Sequence, residues 1–294
     1  MNQKDINLEL YKVFFHVANT LSFSKAAKLL YISQSAVSQN INVLEQRLDT
    51  KLFIRSTKKV SLTVDGKSLL RYIEPALNLI ENGQNQISDI NKLNSGKLHI
   101  GASDTICRYY LIDYLKKFHQ VYPNITIQVT NRTSIECVYL LEQGHVDLII
   151  TNLPNDYITN NMVIQPVKQF HDVFVGNDEF SHLFGDTISI ETLIKHPILM
   201  LERNTTTSEY IHKKLNSLGF DLKPDVELGS IDLLIDMAKI GIGISFVPDY
   251  CLLEASNLTI IPIDNILPAR QLGIITNKNT PISNSSKIFI KMLL

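Results

Sequence analysis

The sequence is poor in the features that mark secreted and membrane proteins. Its three cysteines, Cys107, Cys137 and Cys251, are too few for a disulfide framework, and their spacing is not that of metal ligands. The N-terminus lacks the basic stretch and apolar run of a signal peptide, and no apolar stretch approaches the ~20 residues that span a bilayer. We therefore expect a cytoplasmic protein with no membrane partner.

Local patterns of catalytic and cofactor sites are also missing. The eight histidines show no HExxH or other metal spacing, and no GxSxG or paired nucleophile and base is present. Gly66–Ser68 lacks the earlier glycine of a phosphate loop, and the glycines at 241 and 243 follow a helical pattern rather than a strand. The sequence thus predicts neither an enzyme, nor a metal site, nor a cofactor.

A net charge of −1, from 28 basic and 29 acidic residues, conceals an asymmetry along the chain. Residues 1–63 hold nine basic and four acidic side chains, so this segment carries +5 and the remainder −6. A basic N-terminal module on an acidic body predicts a polyanionic partner for that module alone.

Three helices are predicted in the basic module. Apolar residues between positions 10 and 21 follow helical spacing, and Ser22 or Ser24 can cap a short second helix with Ala26, Leu29 and Leu30 inward. Ser33 can cap a third helix, whose buried stripe is Val37, Ile41, Leu44 and Leu48.

The third helix carries an unusual number of short polar side chains near its N-terminus. Taken at 100° per residue, most of them face away from the buried stripe: Ser33, Gln34, Ser35, Ser38, Gln39 and Asn42. A tight helix-turn-helix with amides and hydroxyls at this end is the geometry that enters a DNA major groove, although a plain polar helix face is the competing interpretation.

The segment KLFIRSTKKVSLT predicts a strand, a basic turn and a second strand. Lys58 and Lys59 lie at the tip of this hairpin, with Arg55 beside them. A basic hairpin next to a base-reading helix is suited to holding phosphates, and this favours the DNA interpretation.

Residues 8–66 resemble the winged helix-turn-helix of LysR-type transcriptional regulators, with the motif at 23–42. The resemblance rests on FSKAAKLLYISQSAVSQNINVLEQRL, KLFIRS and LTVDG, which agree with the family in order and spacing. Asp49 stands where the family usually has glycine, so we expect a left-handed turn there with some strain. The resemblance implies a DNA-binding domain at residues 1–63 and double-stranded DNA with two half-sites as partner.

Residues 64–92 are predicted to form a long linker helix. Positions that alternate by four and three residues are apolar except for one glycine: Leu69, Ile73, Ala76, Ile80, Gly83, Ile87 and Ile90. This is a coiled-coil seam, whereas a helix lying on its own domain would show a broader stripe. The resemblance likewise implies a homodimer that can assemble into a homotetramer. It also implies RNA polymerase as a further candidate partner.

After residue 93 the pattern changes to alternating strands and helices, which predicts parallel sheets covered by helices. This part resembles the LysR effector domain, a two-lobed α/β fold similar to periplasmic binding proteins. By that resemblance, lobe I comprises residues 93–163 and 267–294 and lobe II residues 164–266, with crossings near Val163–Val167 and Asn265–Ala269. The fold class is therefore α/β with an N-terminal winged helix-turn-helix and a coiled-coil linker.

Four strand-to-helix junctions of this domain are rich in hydroxyls, namely 103–105, 133–134, 205–207 and 229–230. Helix N-termini beyond parallel strands bind anions, and Arg132 and Arg203 adjoin two of the junctions. Simple helix capping is the competing explanation. The candidate effector residues are Ser103, Asp104, Thr105, Arg132, Thr133, Ser134, Thr151, Asn152, Arg203 and Thr205, and the resemblance favours Ser103, Thr105 and Thr151 among them.

Three alternatives remain open at this point. Arg132 could pair with Glu136 at i, i+4 instead of meeting a ligand. Cys107 and Cys137 lie in first turns of helices, where a lowered thiol pKa would suit redox sensing, although burial among apolar neighbours is the more common role. A solute-binding transport component would explain the second half of the chain, but not its basic winged helix.

Overall fold

The computed structural model describes residues 6–56, 59–90, 96–252, 257–264 and 267–294, except the side chains of residues 85–86 and 88–90. The chain divides into two compact units, residues 1–87 and 88–294. Two predicted positions, Lys58 and Asn265, lie outside the described residues, as does the domain boundary predicted at residues 92–93; the side chain of Ile90 also lies outside them.

Three helices form the core of the first unit: α1 (Leu8–Thr20), α2 (Phe23–Leu30) and α3 (Gln34–Leu48). The predicted cap of α3 is confirmed, because Ala36 N–H donates to Ser33 Oγ at 3.1 Å, and Ser22 caps α2. Val37, Ile41 and Leu44 are fully buried on α3. Leu29, predicted to point inward, is 57% exposed, since the second helix is so short that its core-facing side is completed by Phe23 and Ala26.

The predicted wing is also confirmed. Strands β1 (Phe53–Arg55) and β2 (Val60–Leu62) pair antiparallel, with Arg55 opposite Val60. Asp49 ends α3 in the left-handed region at φ 54°, the conformation that its position in the motif requires.

Helix α4 (Val64–Ile90) is capped by Thr63, whose Oγ1 accepts from Gly66 N–H at 2.9 Å. Gly66 allows α4 to approach the wing, because a Cβ there would lie 2.2 Å from the carbonyl oxygen of Leu52. Leu69 and Ile73 pack against the core of the first unit, so the beginning of the predicted seam lies on its own domain. Farther along, Ile80 and Ile87 are exposed.

The first lobe of the second unit, residues 96–170 and 270–294, contains a five-stranded sheet. Its strands are β3 (Gly96–Ala102), β4 (Ile125–Asn131), β5 (Leu148–Leu153), β6 (Met162–Phe170) and β12 (Arg270–Asn277), in the order β4-β3-β5-β12-β6. Its first helix runs without a break over residues 104–121 and consists of α5 (Asp104–Ile106), a π turn (Cys107–Leu111) and α6 (Ile112–Val121). The other helices of this lobe are α7 (Ser134–Glu142) and α11 (Asn284–Leu293).

The second lobe, residues 172–264, contains the other five-stranded sheet. Its strands are β7 (Asp172–Gly176), β8 (Ile198–Leu201), β9 (Val226–Leu228), β10 (Ile244–Pro248) and β11 (Thr259–Ile261), in the order β11-β7-β10-β8-β9. Its helices are α8 (Ile190–Leu193), α9 (Thr206–Ser217) and α10 (Ile231–Lys239), with 3₁₀ turns at Asp178–Leu183 and Asp249–Cys251.

The expectation of parallel sheets holds for β3, β4 and β5 and for β8, β9 and β10, but not for β7 and β12. β12 pairs antiparallel with β5 and β6, and β7 pairs antiparallel with β10 and β11. These strands carry the chain from one lobe to the other and back, so each enters its sheet against the direction of its neighbours. The apolar pattern of a strand does not record this direction.

The lobe boundary also differs from the expected one. Strand β6, which periodicity did not predict, stays in the first sheet as far as Phe170, where it pairs with Arg270. The next strand, β7, starts at Asp172 in the second sheet. The first crossing therefore lies at His171, later than the expected Val163–Val167, and the described part of the return lies at residues 267–269.

Candidate functional site

The polar strip of α3 faces solvent. Gln34, Ser35, Gln39 and Asn42 are exposed and Ser38 is half-buried. Ser33, predicted with this set, is occupied by its capping bond and by a 2.8 Å hydrogen bond to Ser35 Oγ. Within the part of the chain that the structure describes, the side chains of Gln34 and Gln39 have no hydrogen-bond partner, so their amide groups are open to solvent.

Arg55, predicted as a phosphate contact, joins the wing to the helices in the absence of DNA. Its Nη2 donates to Asn42 Oδ1 at 2.9 Å and lies 3.6 Å from Glu45 Oε2, and its guanidinium stacks 4.7 Å from the Phe23 ring. The side-chain oxygen of Asn42 is therefore already hydrogen-bonded, unlike the side chains of Gln34 and Gln39 on the same polar strip of α3 (the reading strip). Lys59 remains exposed at the wing, beside a groove that Ser24 and Gln34 also line.

Glu45 holds this arrangement together, and sequence reasoning missed it. Its side chain is 2% exposed, and its carboxylate accepts from the backbone N–H groups of Leu52 and Phe53 at 3.0 and 3.3 Å and from Lys51 Nζ at 2.9 Å. Burial raises the pKa of Glu45, but these hydrogen bonds outweigh it and leave the pKa below the usual value. The available signal was a carboxylate four residues after Ile41, on the buried stripe.

In the second unit, four helix N-termini meet at one cleft between the lobes. The hydroxyls of Ser103, Thr133, Thr205 and Ser230 cap the helix of residues 104–121, α7, α9 and α10, with N–H···O distances of 3.2–3.4 Å. All four caps line a cleft of about 260 Å³. The convergence follows from the sheets, since β3 and β4 are parallel, as are β8 and β9, and each is followed by one of these helices.

Most of the predicted effector residues line this cleft. They are Ser103, Asp104, Thr105, Arg132, Thr133, Ser134, Asn152 and Thr205. Thr151 does not, because neighbouring residues of a strand face opposite sides; it is fully buried and accepts from Asn155 Nδ2 at 3.0 Å. Arg203 does not either, since its side chain turns to Glu227, with Nε 3.8 Å from Oε1.

Arg132 and Glu136, which the i, i+4 spacing allows to pair, have other partners. Glu136 Oε2 accepts from the backbone N–H and the hydroxyl of Thr133, both at 3.0 Å, and Arg132 Nη1 donates to the carbonyl of Asn131 at 2.7 Å. The other cleft carboxylate, Asp104, accepts from Asn131 Nδ2 at 2.9 Å. Of the described residues that line the cleft, Arg132 is the one cation.

Sequence reasoning missed several lining residues: Asn131, Glu136, Leu201, Ile231 and Pro248. Thr206, Thr207, Gly229 and Ser230, which belong to the junctions it noted, line the cleft as well. Asn131 ends β4 and Leu201 ends β8, so the carboxyl end of each strand was a usable signal.

The thiols do not have the lowered pKa that redox sensing requires. Burial raises the pKa of Cys107 to about 11, with Asp104 adding to the effect. Burial likewise raises the pKa of Cys137 to about 12. At neutral pH both are therefore almost entirely protonated and poorly nucleophilic.

Two further properties concern the described residues only. No group of three or more histidine, cysteine, aspartate or glutamate side chains among them is placed to hold a metal ion. None of the helices they form combines the length and the apolar character needed to cross a membrane.

Comparison with known proteins now assigns both units. Residues 8–67 match the bacterial regulatory helix-turn-helix protein model of the lysR family, and residues 91–294 match the LysR substrate binding domain. The chain belongs to the LysR family. It is a DNA-binding transcriptional regulator, and its winged helix separates it from solute-binding transport components.

Relatives and solved structures agree with this assignment. A probable RuBisCO transcriptional regulator of Cyanidioschyzon merolae is 30% identical over 302 residues, covering 100% of this chain and 99% of the relative. CbnR in complex with its target DNA has a TM-score of 0.68 at 18% identity and covers 98% of both chains. The regulatory domain of Synechocystis CcmR, solved with 2-PG, has a TM-score of 0.62 at 22% identity, covering 67% of this chain and 95% of its own. The last two likenesses show the shared fold.

The reading strip and the wing of this LysR-family regulator should respond differently to substitution. Gln39→Ala should weaken binding at the preferred DNA site by about 1–3 kcal/mol and relax sequence preference, because a base-edge contact is lost. Lys59→Ala should weaken binding to all sequences alike and lower the salt slope by about one unit. Fluorescence anisotropy on selected and random duplexes at several salt concentrations measures both effects.

Gln46→Ala is the matched control, since Gln46 is exposed near the opposite end of α3. It should leave affinity and preference unchanged. Equal losses on selected and random DNA for Gln39→Ala would place the reading face elsewhere on the helix.

Proposed function

We propose that this regulator binds a two-half-site operator as a dimer or a pair of dimers, and that a small anion in the interlobe cleft changes its operator affinity or the bend of the DNA. The reading contacts come from Gln34, Ser35, Ser38 and Gln39, and the phosphate contacts from Lys58 and Lys59. DNA as the partner supports a cytoplasmic location, and RNA polymerase is a further proposed partner there. The proposed role consists of binding only and includes no catalytic step.

The convergence of four helix N-termini on one cleft is the observation that carries the proposal. The first turn of a helix has N–H groups without intrahelical acceptors and carries about +0.5 elementary charge. Each cap hydroxyl satisfies one N–H of its helix, and first-turn residues of all four helices line the same space. Arg132 adds a full positive charge at the edge. A carboxylate or phosphate supplies the oxygens that these donors lack.

The size of the cleft restricts the ligand further. A volume of about 260 Å³ is just below the ~300–1,000 Å³ range of ligand pockets, which suits a small metabolite. Leu201, Ile231 and Pro248 add an apolar wall, so a short carbon skeleton attached to the acidic group fits. The complex of the CcmR regulatory domain with 2-PG makes 2-PG a first probe for this chain.

The proposed dimer uses the part of α4 that does not pack on its own unit. Ala76, Ile80 and Ile87 continue the predicted spacing and are exposed, whereas Leu69 and Ile73 pack against the first-unit core. Exposed apolar residues at heptad spacing are buried when two such helices pair. A dimer would place two basic reading heads on one DNA, one for each half-site.

Anion binding in the cleft should depend on Arg132 and on the first turn of the helix of residues 104–121. We expect Arg132→Ala to weaken binding by about 1–2 kcal/mol, or roughly 5- to 30-fold, because an exposed charge-assisted hydrogen bond is lost. Thr105→Ala should also weaken it, by roughly 1 kcal/mol. Isothermal titration calorimetry of the full chain with 2-PG, simple carboxylates and their neutral amides or esters measures the effects.

Arg203→Ala provides the matched control, since it removes an arginine from another junction without touching the cleft. It should bind the anions as the wild type does. If Arg132→Ala and Thr105→Ala keep wild-type affinity and stability, the ligand does not lie in this cleft.

The dimer is tested by placing a charge in the proposed seam. Ile80→Asp would bury a carboxylate between the paired helices, so dimerisation and binding to a two-half-site operator should fall together. Sedimentation equilibrium and a gel-shift titration report the two properties. Glu81→Ala, a neighbouring exposed position, should change neither. A dimeric Ile80→Asp variant with unchanged operator affinity would show that α4 is not the interface.

A further inference from the structure

Arg270 is a buried arginine at the point where the chain returns from the second lobe to the first. It starts β12, is 2% exposed, and its Nη1 lies 2.7 Å from Asp172 Oδ2 at the start of β7. Its Nε donates to the carbonyl of Leu153 at 3.2 Å. Arg270 and Asp172 thus stand at the two crossings between the lobes and are bonded to each other.

The same guanidinium also contacts α9, which belongs to the second lobe and begins at the cleft. Nη1 donates to Thr207 Oγ1 at 3.3 Å, and the Tyr210 ring lies 4.5 Å from Cζ. Tyr210 in turn donates its hydroxyl to the carbonyl of Pro268 at 3.4 Å, in the return segment. Phe170, the last residue of β6, lies on the guanidinium at 5.4 Å.

Thr207 connects this cluster with the cleft. It lines the cleft in the first turn of α9, and its Oγ1 also accepts from Nδ2 of Asn152, another lining residue, at 3.5 Å. Thr207 therefore touches the first lobe through Asn152 and the crossings through Arg270. Thr207 and Asn152 are 3% and 8% exposed, so the bond between them belongs to the wall of the cleft.

The buried Arg270–Asp172 pair cannot easily compensate for the loss of the hydrogen bond from Arg270 to Thr207. Its side chains are 1% and 0% exposed, so solvent cannot replace a lost hydrogen bond. Within the described part of the chain, Arg270 Nη2 and Asp172 Oδ1 already have no hydrogen-bond partner. Because an unpaired buried charge is costly, a displacement of Thr207 must be followed by the guanidinium, and with it by Asp172.

We propose that Arg270 is a positioning residue that couples the N-terminus of α9 to both interlobe crossings. An anion drawn to the first turn of α9 shifts Thr207, Arg270 follows it, and the starts of β7 and β12 move together. This inference rests on the proposed function and names the element of the cleft that regulates lobe position. Arg270 itself does not touch the ligand.

Hydrogen–deuterium exchange of the full chain without ligand tests the coupling. Thr207→Val keeps the shape of the side chain and removes the acceptor, so exchange should become roughly fivefold faster at residues 170–173 and 267–271, which are remote from position 207 in sequence. Arg270→Lys keeps the positive charge beside Asp172 but cannot reproduce the several N–H donors of the guanidinium. Exchange should therefore become faster at residues 170–173 and 267–271 and in the first turn of α9. The double variant should exchange no faster than Arg270→Lys alone.

Arg203→Lys is the matched control, because Arg203 precedes α9 and its side chain points to Glu227. It should change none of these segments. The coupling would be overturned if Thr207→Val made exchange faster only in α9. It would also be overturned if the rate increases of the two single substitutions multiplied in the double variant. If Arg270→Lys does not fold, Thr207→Val decides alone. Since no ligand is present, the coupling can fail while the cleft still binds an anion, and a failed titration with intact coupling would contradict the proposed function only.

Discussion

The effector unit depends on one constraint: four helices begin at the same cleft, and their first-turn N–H groups cannot be satisfied by their own helices. Parallel pairing of β3 with β4 and of β8 with β9 brings these N-termini together, two from each lobe. The cap hydroxyls accept a hydrogen bond from one first-turn N–H group of each helix. The remaining donors, together with Arg132, are groups that can bind an anion, while the two carboxylates of the lining, Asp104 and Glu136, already accept hydrogen bonds from Asn131 and Thr133.

Buried charge positions side chains in both units. In the first unit, Glu45 binds the backbone of Leu52 and Phe53, so α3 and the wing are set relative to each other before either meets DNA. In the second unit, Arg270 and Asp172 occupy the crossings. A lone buried charge is costly, and so each pair restricts its surroundings to arrangements that keep the partners together. These interior contacts therefore fix the relative positions of α3 and the wing in the first unit and of the starts of β7 and β12 in the second.

Local signals in the sequence predicted the features that depend on local physics. The helix cap at Ser33, the buried stripe of α3 and the left-handed Asp49 follow from spacing and side-chain chemistry within a few residues. Strand direction did not, because β12 takes its antiparallel place only after the chain has returned from the other lobe. For the same reason Arg270 and Asp172, 98 positions apart, carry no sequence signal of their pairing. Thr151 was misplaced through neglect of strand alternation, and Arg203 through a competing partner, Glu227.

Linkage between the cleft and the operator is the central claim, and one titration tests it directly. Operator affinity and DNA bend angle of the full chain are measured across a concentration series of the anion that calorimetry identifies. Coupling between sites is typically worth 1–3 kcal/mol, so saturating anion should change affinity by about 5- to 150-fold or shift the bend angle, with reciprocal tightening or weakening of the anion by DNA. Unchanged affinity and bend at saturation, with calorimetric binding intact, would contradict regulation through this cleft.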